Sequence, residues 1–234
     1  MTARWAAAVL VATGAAACHP QRRVYIRPDK MLEGPDLHFL SFASSAADQF
    51  FTPSGDPCRR FGGHVRENCI GWPDDSEGPA CSHDSFVDGL RPAVLELRWS
   101  APIPADGSYD LLPAGYGLGA WGKVITRGST YGDYWAKAEV VVEASSPACS
   151  GKWSLQLALA QVTGGWDRTA PFSGWIKLPD LPLPGCKASQ TLEVRVRFVG
   201  ETNRGRVDVD WFGFSAGGDE DVNRIFALRP RPKA

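Results

Sequence analysis

From Thr191 to Ser215 the chain reads TLEVRVRFVGETNRGRVDVDWFGFS, and its apolar and polar residues alternate with a period of two. Leu192, Val194, Val196 and Phe198 share one face, with Glu193, Arg195 and Arg197 on the other. Val207, Val209 and Trp211 repeat the pattern against Arg206, Asp208 and Asp210. This is the signature of half-buried strands. If the loop Gly200 to Gly205 closes a hairpin, Val199 faces Arg206, Arg197 faces Asp208 and Arg195 faces Asp210, so opposite charges meet on the solvent face. The alternative places the two strands in different sheets of a sandwich.

The same alternation predicts strands at Leu37 to Ala43, Val94 to Trp99, around Tyr109 after a Pro-Ala-Asp-Gly turn, Trp135 to Ala144, Trp153 to Val162 and Trp175 to Leu178. Ala46 to Phe51 is expected as a helical turn and Pro179 to Gly185 as a proline-rich connector. Gly115 to Gly122 (GYGLGAWG) reads either as a ligand-facing loop or as a flexible strand edge. Thr52 to Asp84 shows neither helix nor strand periodicity and reads as a long structured loop. Nine or ten strands divided by turn signals imply an all-β fold, a two-sheet β-sandwich of jelly-roll type with a long disulfide-containing N-terminal loop region.

Composition agrees with this class. The 234 residues include 25 Gly, 18 Pro and 9 Trp, as a turn-rich β protein requires, and a formal net charge of -1 removes the electrostatic argument for nucleic acid. Residues 1–17 have the parts of a signal peptide: Arg4, an apolar run from Trp5 to Ala12, and Ala15-Ala16-Ala17 before Cys18. The run Ala-Ala-Ala-Cys resembles a bacterial lipobox, which implies an exported protein, secreted or held at the cell envelope, with membrane attachment through lipid on Cys18. Residues 18–35 then form a tether, 36–216 the sandwich domain and 217–234 a polar tail whose charges serve solvation.

With Cys18 set aside, five cysteines remain in an oxidising compartment. Cys149 and Cys186 lie in turn-like segments and are expected to pair. Cys58, Cys69 and Cys81 supply at most one further bridge. Together with His64 and His83 they lack the C-x2-C or H-x3-H spacing of a zinc site, so no metal or other cofactor is assigned.

The sequence carries no Gly-x-Ser-x-Gly elbow, His-Glu-x-x-His pair or phosphate-binding glycine loop. Glycoside hydrolysis needs only two carboxyl groups across a groove, and Glu96, Glu139 and Glu143 alternate with apolar residues on strands. Outward glutamates on strands are ordinary surface, and no catalytic residue is assigned.

The segment GGWDRTAPFSGWIKLPDLPLPG, followed by QTLEVRVRFVG and RVDVDWFGFS, resembles the second half of a family 6 carbohydrate-binding module, a galactose-binding-like β-sandwich. Asp208-Val209-Asp210-Trp211-Phe212 stands where that family has its closing Asn-Leu-Asp-Trp-Phe. Upstream, Pro104 to Tyr109 resembles Pro-Ala-Ala-Gly-Thr-Tyr, and Phe86 to Gly89 is similar to the family's Gly-Tyr-Ile-Asp-x-Gly loop. The likeness runs in pieces over residues 86–215. It implies non-catalytic binding of a polysaccharide or surface glycan, with Trp166 and Phe86 as aromatic platforms and Asp208 in the place of the ligand-binding asparagine. Pyranose C–H faces stack on aromatic rings, and their hydroxyl edges take directed polar partners. The readings that compete with it are a structural or adhesive envelope lipoprotein without a sugar site and, further off, a glycoside hydrolase or polysaccharide lyase.

Overall fold

The computed structural model describes residues 32, 34–48, 64–66, 69–72, 81–85, 92–114, 117–126, 128, 132–214 and 222–232. Among them the strands are β1 (His38–Phe39), β2 (Ser41–Asp48), β3 (His64–Arg66), β4 (Cys69–Trp72), β5 (Cys81–Ser85), β6 (Ala93–Pro102), β7 (Gly107–Pro113) and β8 (Leu118–Thr126). They continue with β9 (Asp133–Ser145), β10 (Ser150–Thr163), β11 (Arg168–Ile176), β12 (Leu181–Cys186), β13 (Thr191–Thr202), β14 (Gly205–Phe214) and β15 (Phe226–Pro230).

All the pairings are antiparallel, and three sheets result. Sheet I has the order β10-β9-β13-β6-β2 and sheet II the order β11-β8-β14-β4-β3, with β5 also on β14; sheet III has the order β1-β15-β7-β12. The alternating residues of β6, β9 and β13 give sheet I one apolar face. Leu95 lies opposite Phe198, Leu97 opposite Val196, and Trp99 opposite Val194, all fully buried. Sheets II and III both lie against this face. Phe198 meets Phe172 of β11 and Phe212 of β14 at ring separations of 5.5 and 5.7 Å. Trp99 packs edge-to-face on Phe42, Phe214 and Phe226, and its indole N–H donates to the Val222 carbonyl at 2.8 Å. The fold is therefore the expected all-β sandwich, with its second layer divided between two hydrogen-bonded sheets.

The hairpin expected at the C-terminal pair does not form. β13 is paired on both edges within sheet I, by β6 and β9, and β14 belongs to sheet II. Val199 lies opposite Val94 and Glu139, Arg197 opposite Glu96 and Val141, and Arg195 opposite Arg98 and Glu143. Alternation states which face of a strand is buried, and two strands that face one core from opposite layers alternate just as a hairpin does. The complementary charges for Arg197 come from Glu143, to which it donates a hydrogen bond, and from Glu96 at 4.0 Å.

Several other expectations are corrected. Ala46 to Asp48 continue strand β2, paired with Glu96 to Val94, so sheet pairing overrides the helical preference of alanine there; residues 49–51 lie outside the described residues. The connector Pro179 to Gly185 contains β12, in which Leu181 and Leu183 are buried and Pro182 and Pro184 exposed. An edge strand tolerates those prolines. In the glycine-rich stretch, Leu118 onward is neither loop nor edge: β8 lies between β11 and β14 in the interior of sheet II. The region Thr52 to Asp84 contributes β3, β4 and β5 to sheet II, strands of three to five residues and so too short to display a period. Nor is the chain beyond 217 a solvated tail. Val222 and Ile225 to Leu228 are buried, and β15 pairs with β7 and β1. Its basic end is matched internally, since Arg229 and Arg231 both pair with Asp110.

The pairing of Cys149 with Cys186 is present as a disulfide. It joins the turn between β9 and β10 to the end of β12, and so ties sheet I to sheet III.

Candidate functional site

One end of the sandwich gathers the end of β8, the start of β9, the β10–β11 loop and the two-residue crossing from β13 to β14. Four strands of sheet II end there in register, with Ser85, Gly205, Thr126 and Arg168 aligned across β5, β14, β8 and β11. The crossing is held by Asn203. Its Oδ1 accepts from the Trp135 amide at 2.7 Å, its Nδ2 donates to the Asp133 carbonyl at 3.0 Å, and its own amide donates to the Trp135 carbonyl at 3.1 Å. The Thr202 hydroxyl also donates to the Trp135 carbonyl and accepts from the Arg204 amide. Gly205 completes the change of layer: its φ is 154°, and a Cβ there would lie 2.0 Å from the Ile125 carbonyl oxygen.

Trp166 projects from the β10–β11 loop at this rim and is 90% exposed. Gly164 and Gly165, at φ 76° and 95°, supply the turn that presents it. The loop is braced from behind. Asp167 accepts the Gly128 amide on its carboxylate at 2.5 Å, and a Cβ on Gly128 would meet the Gly165 carbonyl oxygen at 2.0 Å. An indole this exposed does not plug its loop: its face is open to a ligand, and the backbone that carries it is held.

At the same end of the sandwich, the Arg204 guanidinium lies over the Tyr134 ring at 5.0 Å and donates to the Tyr134 hydroxyl at 3.1 Å. Alternation with Ala136 and Ala138 directs Tyr134 to the inner side of sheet I, and alternation with Ala170 and Phe172 directs Arg168 to the inner side of sheet II. Both residues stand where the two layers open at the rim, and Arg168 is exposed.

Asp208 is elsewhere. It lies on the outer face of sheet II, opposite Lys123, three residues along β14 from Gly205 and so about 10 Å from the rim. The residue is 9% exposed, and its carboxylate is engaged by Arg206 at 3.0 Å and Lys123 at 3.8 Å. The structure does not bring it to Trp166. The same outer face carries Trp121 and Trp175, in edge-to-face contact at 5.1 Å, with Trp121 buried. Phe86 lies outside the described residues, as do Cys18 and Cys58; Ser85, which precedes Phe86, is the residue aligned with Gly205 at the rim.

The glutamates considered for catalysis sit on the outer face of sheet I. Glu96 pairs with Arg98 and Arg197, and Glu143 with Arg197 and with Lys152 at 3.1 Å. On the same face Glu193 takes Arg195 through both oxygens, at 2.9 and 3.1 Å. That hydrogen-bonded guanidinium holds the Glu193 carboxyl below the usual glutamate range and raises the Arg195 guanidinium in return.

Tyr134, Arg168 and Arg204 were not singled out by the sequence. The glycines and asparagine around them marked turns, but nothing local states that turns separated by some 70 residues meet at one rim. Compared with known proteins, the chain matches no family model and no curated protein sequence.

Proposed function

We propose that this chain is an exported, lipid-anchored glycan-binding β-sandwich without catalytic activity. The observation that carries the reading is Trp166, 90% exposed at a rim where backbone and side-chain contacts brace its loop. A large apolar ring held in water costs solubility, and stacking on a pyranose face offsets that cost. Tyr134 supplies a second aromatic group at the rim. Asp208 takes no part in this site, because its carboxylate is bound within sheet II.

Export and anchoring rest on residues 1–17 and on Cys18. Mass spectrometry of the native N-terminus is expected to find a diacylglyceryl-modified Cys18; an unmodified cysteine there would show a secreted protein instead.

Binding is tested with a glycan array. Trp166→Ala should abolish the signal and leave the thermal midpoint unchanged, since a side chain this exposed contributes within about 0.5 kcal/mol to stability. No binding by the intact chain across a broad array would sink the reading.

The alternative, a structural or adhesive envelope lipoprotein, is favoured by β10. This is a 14-residue edge strand of sheet I in which Lys152 is the only charged residue, and Leu155 and Leu159 are exposed on it. Such an edge is suited to strand pairing with another chain.

A further inference from the structure

The geometry points to a carboxylated sugar, a uronate unit of an acidic polysaccharide, as the ligand of the Trp166 rim; this rests on the glycan-binding reading above. Elsewhere among the described residues, seven arginines have partners. Arg98, Arg195, Arg197, Arg206, Arg229 and Arg231 each meet a carboxylate, and Arg224 covers the Phe39 ring. At the rim the pattern changes. Among the described residues, neither Arg168 nor Arg204 is paired with a carboxylate, and both are exposed.

Among the described residues no carboxylate is ion-paired with either of them: Asp167 accepts the Gly128 amide, Glu201 is paired with Lys137 at 2.6 Å, and alternation turns Asp133 to the outer side of sheet I, away from the opening. Two guanidinium groups are thus offered at the rim that carries the open indole. Arg204 is already oriented by the Tyr134 ring and gives one N–H to the Tyr134 hydroxyl, so little of its freedom remains to be lost on binding. Planar guanidinium donors match a carboxylate, which they take in bidentate fashion, and a neutral hydroxyl offers them no such partner. A pyranose laid on Trp166 with its C6 carboxylate toward Arg168 and Arg204 uses each of these groups once.

The test is titration calorimetry of the full chain against polygalacturonate, and against the same polymer after its carboxyl groups are reduced to alcohols. Wild-type protein is expected to bind the acidic polymer. Arg168→Gln and Arg204→Gln should each weaken it by about tenfold or more, the scale of a charged hydrogen bond, and Trp166→Ala should abolish it. The thermal midpoint of the Arg168→Gln variant should stay at the wild-type value, whereas Arg204→Gln also gives up its contacts with Tyr134 and should be slightly less stable while remaining folded. Equal binding of the reduced polymer, with both arginine variants unaffected, would overturn the uronate assignment and leave the glycan reading standing. Binding of the acidic polymer that survives Trp166→Ala would reduce the effect to general charge attraction and also overturn it. Failure of both polymers, together with a silent neutral-glycan array, would remove both proposals.

Discussion

Replacing Asn203 by alanine should loosen the crossing that builds the rim. The side chain makes two hydrogen bonds, accepting from the Trp135 amide at 2.7 Å and donating to the Asp133 carbonyl at 3.0 Å. At about 1 kcal/mol each, their loss costs about 2 kcal/mol. For a chain of this length that lowers the thermal midpoint by roughly 4–8 °C. Asn203→Asp separates the two bonds, because it keeps the acceptor toward the Trp135 amide and loses the donor, so it should fall about halfway. Near-ultraviolet circular dichroism follows the unfolding through the tryptophans. The expected order of stability is wild type, then the aspartate variant, then the alanine variant. An alanine variant within about 0.5 kcal/mol of wild type, or an aspartate variant no better than alanine, would refute the view that this one side chain holds the crossing. The alanine variant should also bind glycan more weakly than wild type, since Arg204 and Tyr134 sit on either side of the bonds removed.

The Cys149–Cys186 disulfide closes a loop of sequence separation 37, which in a chain-entropy treatment contributes about 4 kcal/mol. The double serine variant, preferable to a reductant because other cysteines are present, should lower the urea midpoint by about 1.5 M for a slope near 2.5 kcal/mol/M; an unchanged midpoint would contradict this. Glu193 titrates below the usual glutamate range in the folded chain because Arg195 is hydrogen-bonded to it. Its contribution is therefore present above the unfolded carboxyl range and is lost as the pH falls through the folded value. Thermal midpoints of wild type and Glu193→Gln should differ near neutrality and converge in acid, and a gap that stays constant through the acid range would count against the assignment.

How far the chain could be read in advance depended on the range of the interaction. Strands whose alternation runs for six residues or more, such as Val94 to Trp99 and Thr191 to Phe198, were legible because burial of one face imposes the period directly. β3, β4 and β5 were not, at three to five residues among prolines and glycines. β12 was hidden for another reason: its prolines argue against a strand until it is known to lie on a sheet edge. At the candidate site, Trp166 was singled out through the resemblance to the carbohydrate-binding modules, and that it is exposed at a rim is a fact of the tertiary structure. Arg204 and Tyr134 were not legible, because 70 residues separate them and only the β13–β14 crossing makes them neighbours.

The C-terminal strand pair shows where the division falls. The sequence alone determined that β13 and β14 are strands, which face of β13 is buried and which face of β14 as far as Val209, and that the fold is all-β, because these follow from side-chain period and the hydrophobic effect acting residue by residue. Beyond Val209 a register shift in β14 buries Phe212 and Phe214, which the alternation through Trp211 did not predict. Only the tertiary structure decided that β13 and β14 lie in opposite layers. In a hairpin and in a crossing, the same residues point at the same core, and the choice depends on which other strands complete their hydrogen bonds. With β6 and β9 on either side of β13, Arg197 finds Glu96 and Glu143 in place of Asp208, and Asp208 is left to Arg206 and Lys123 on the other sheet.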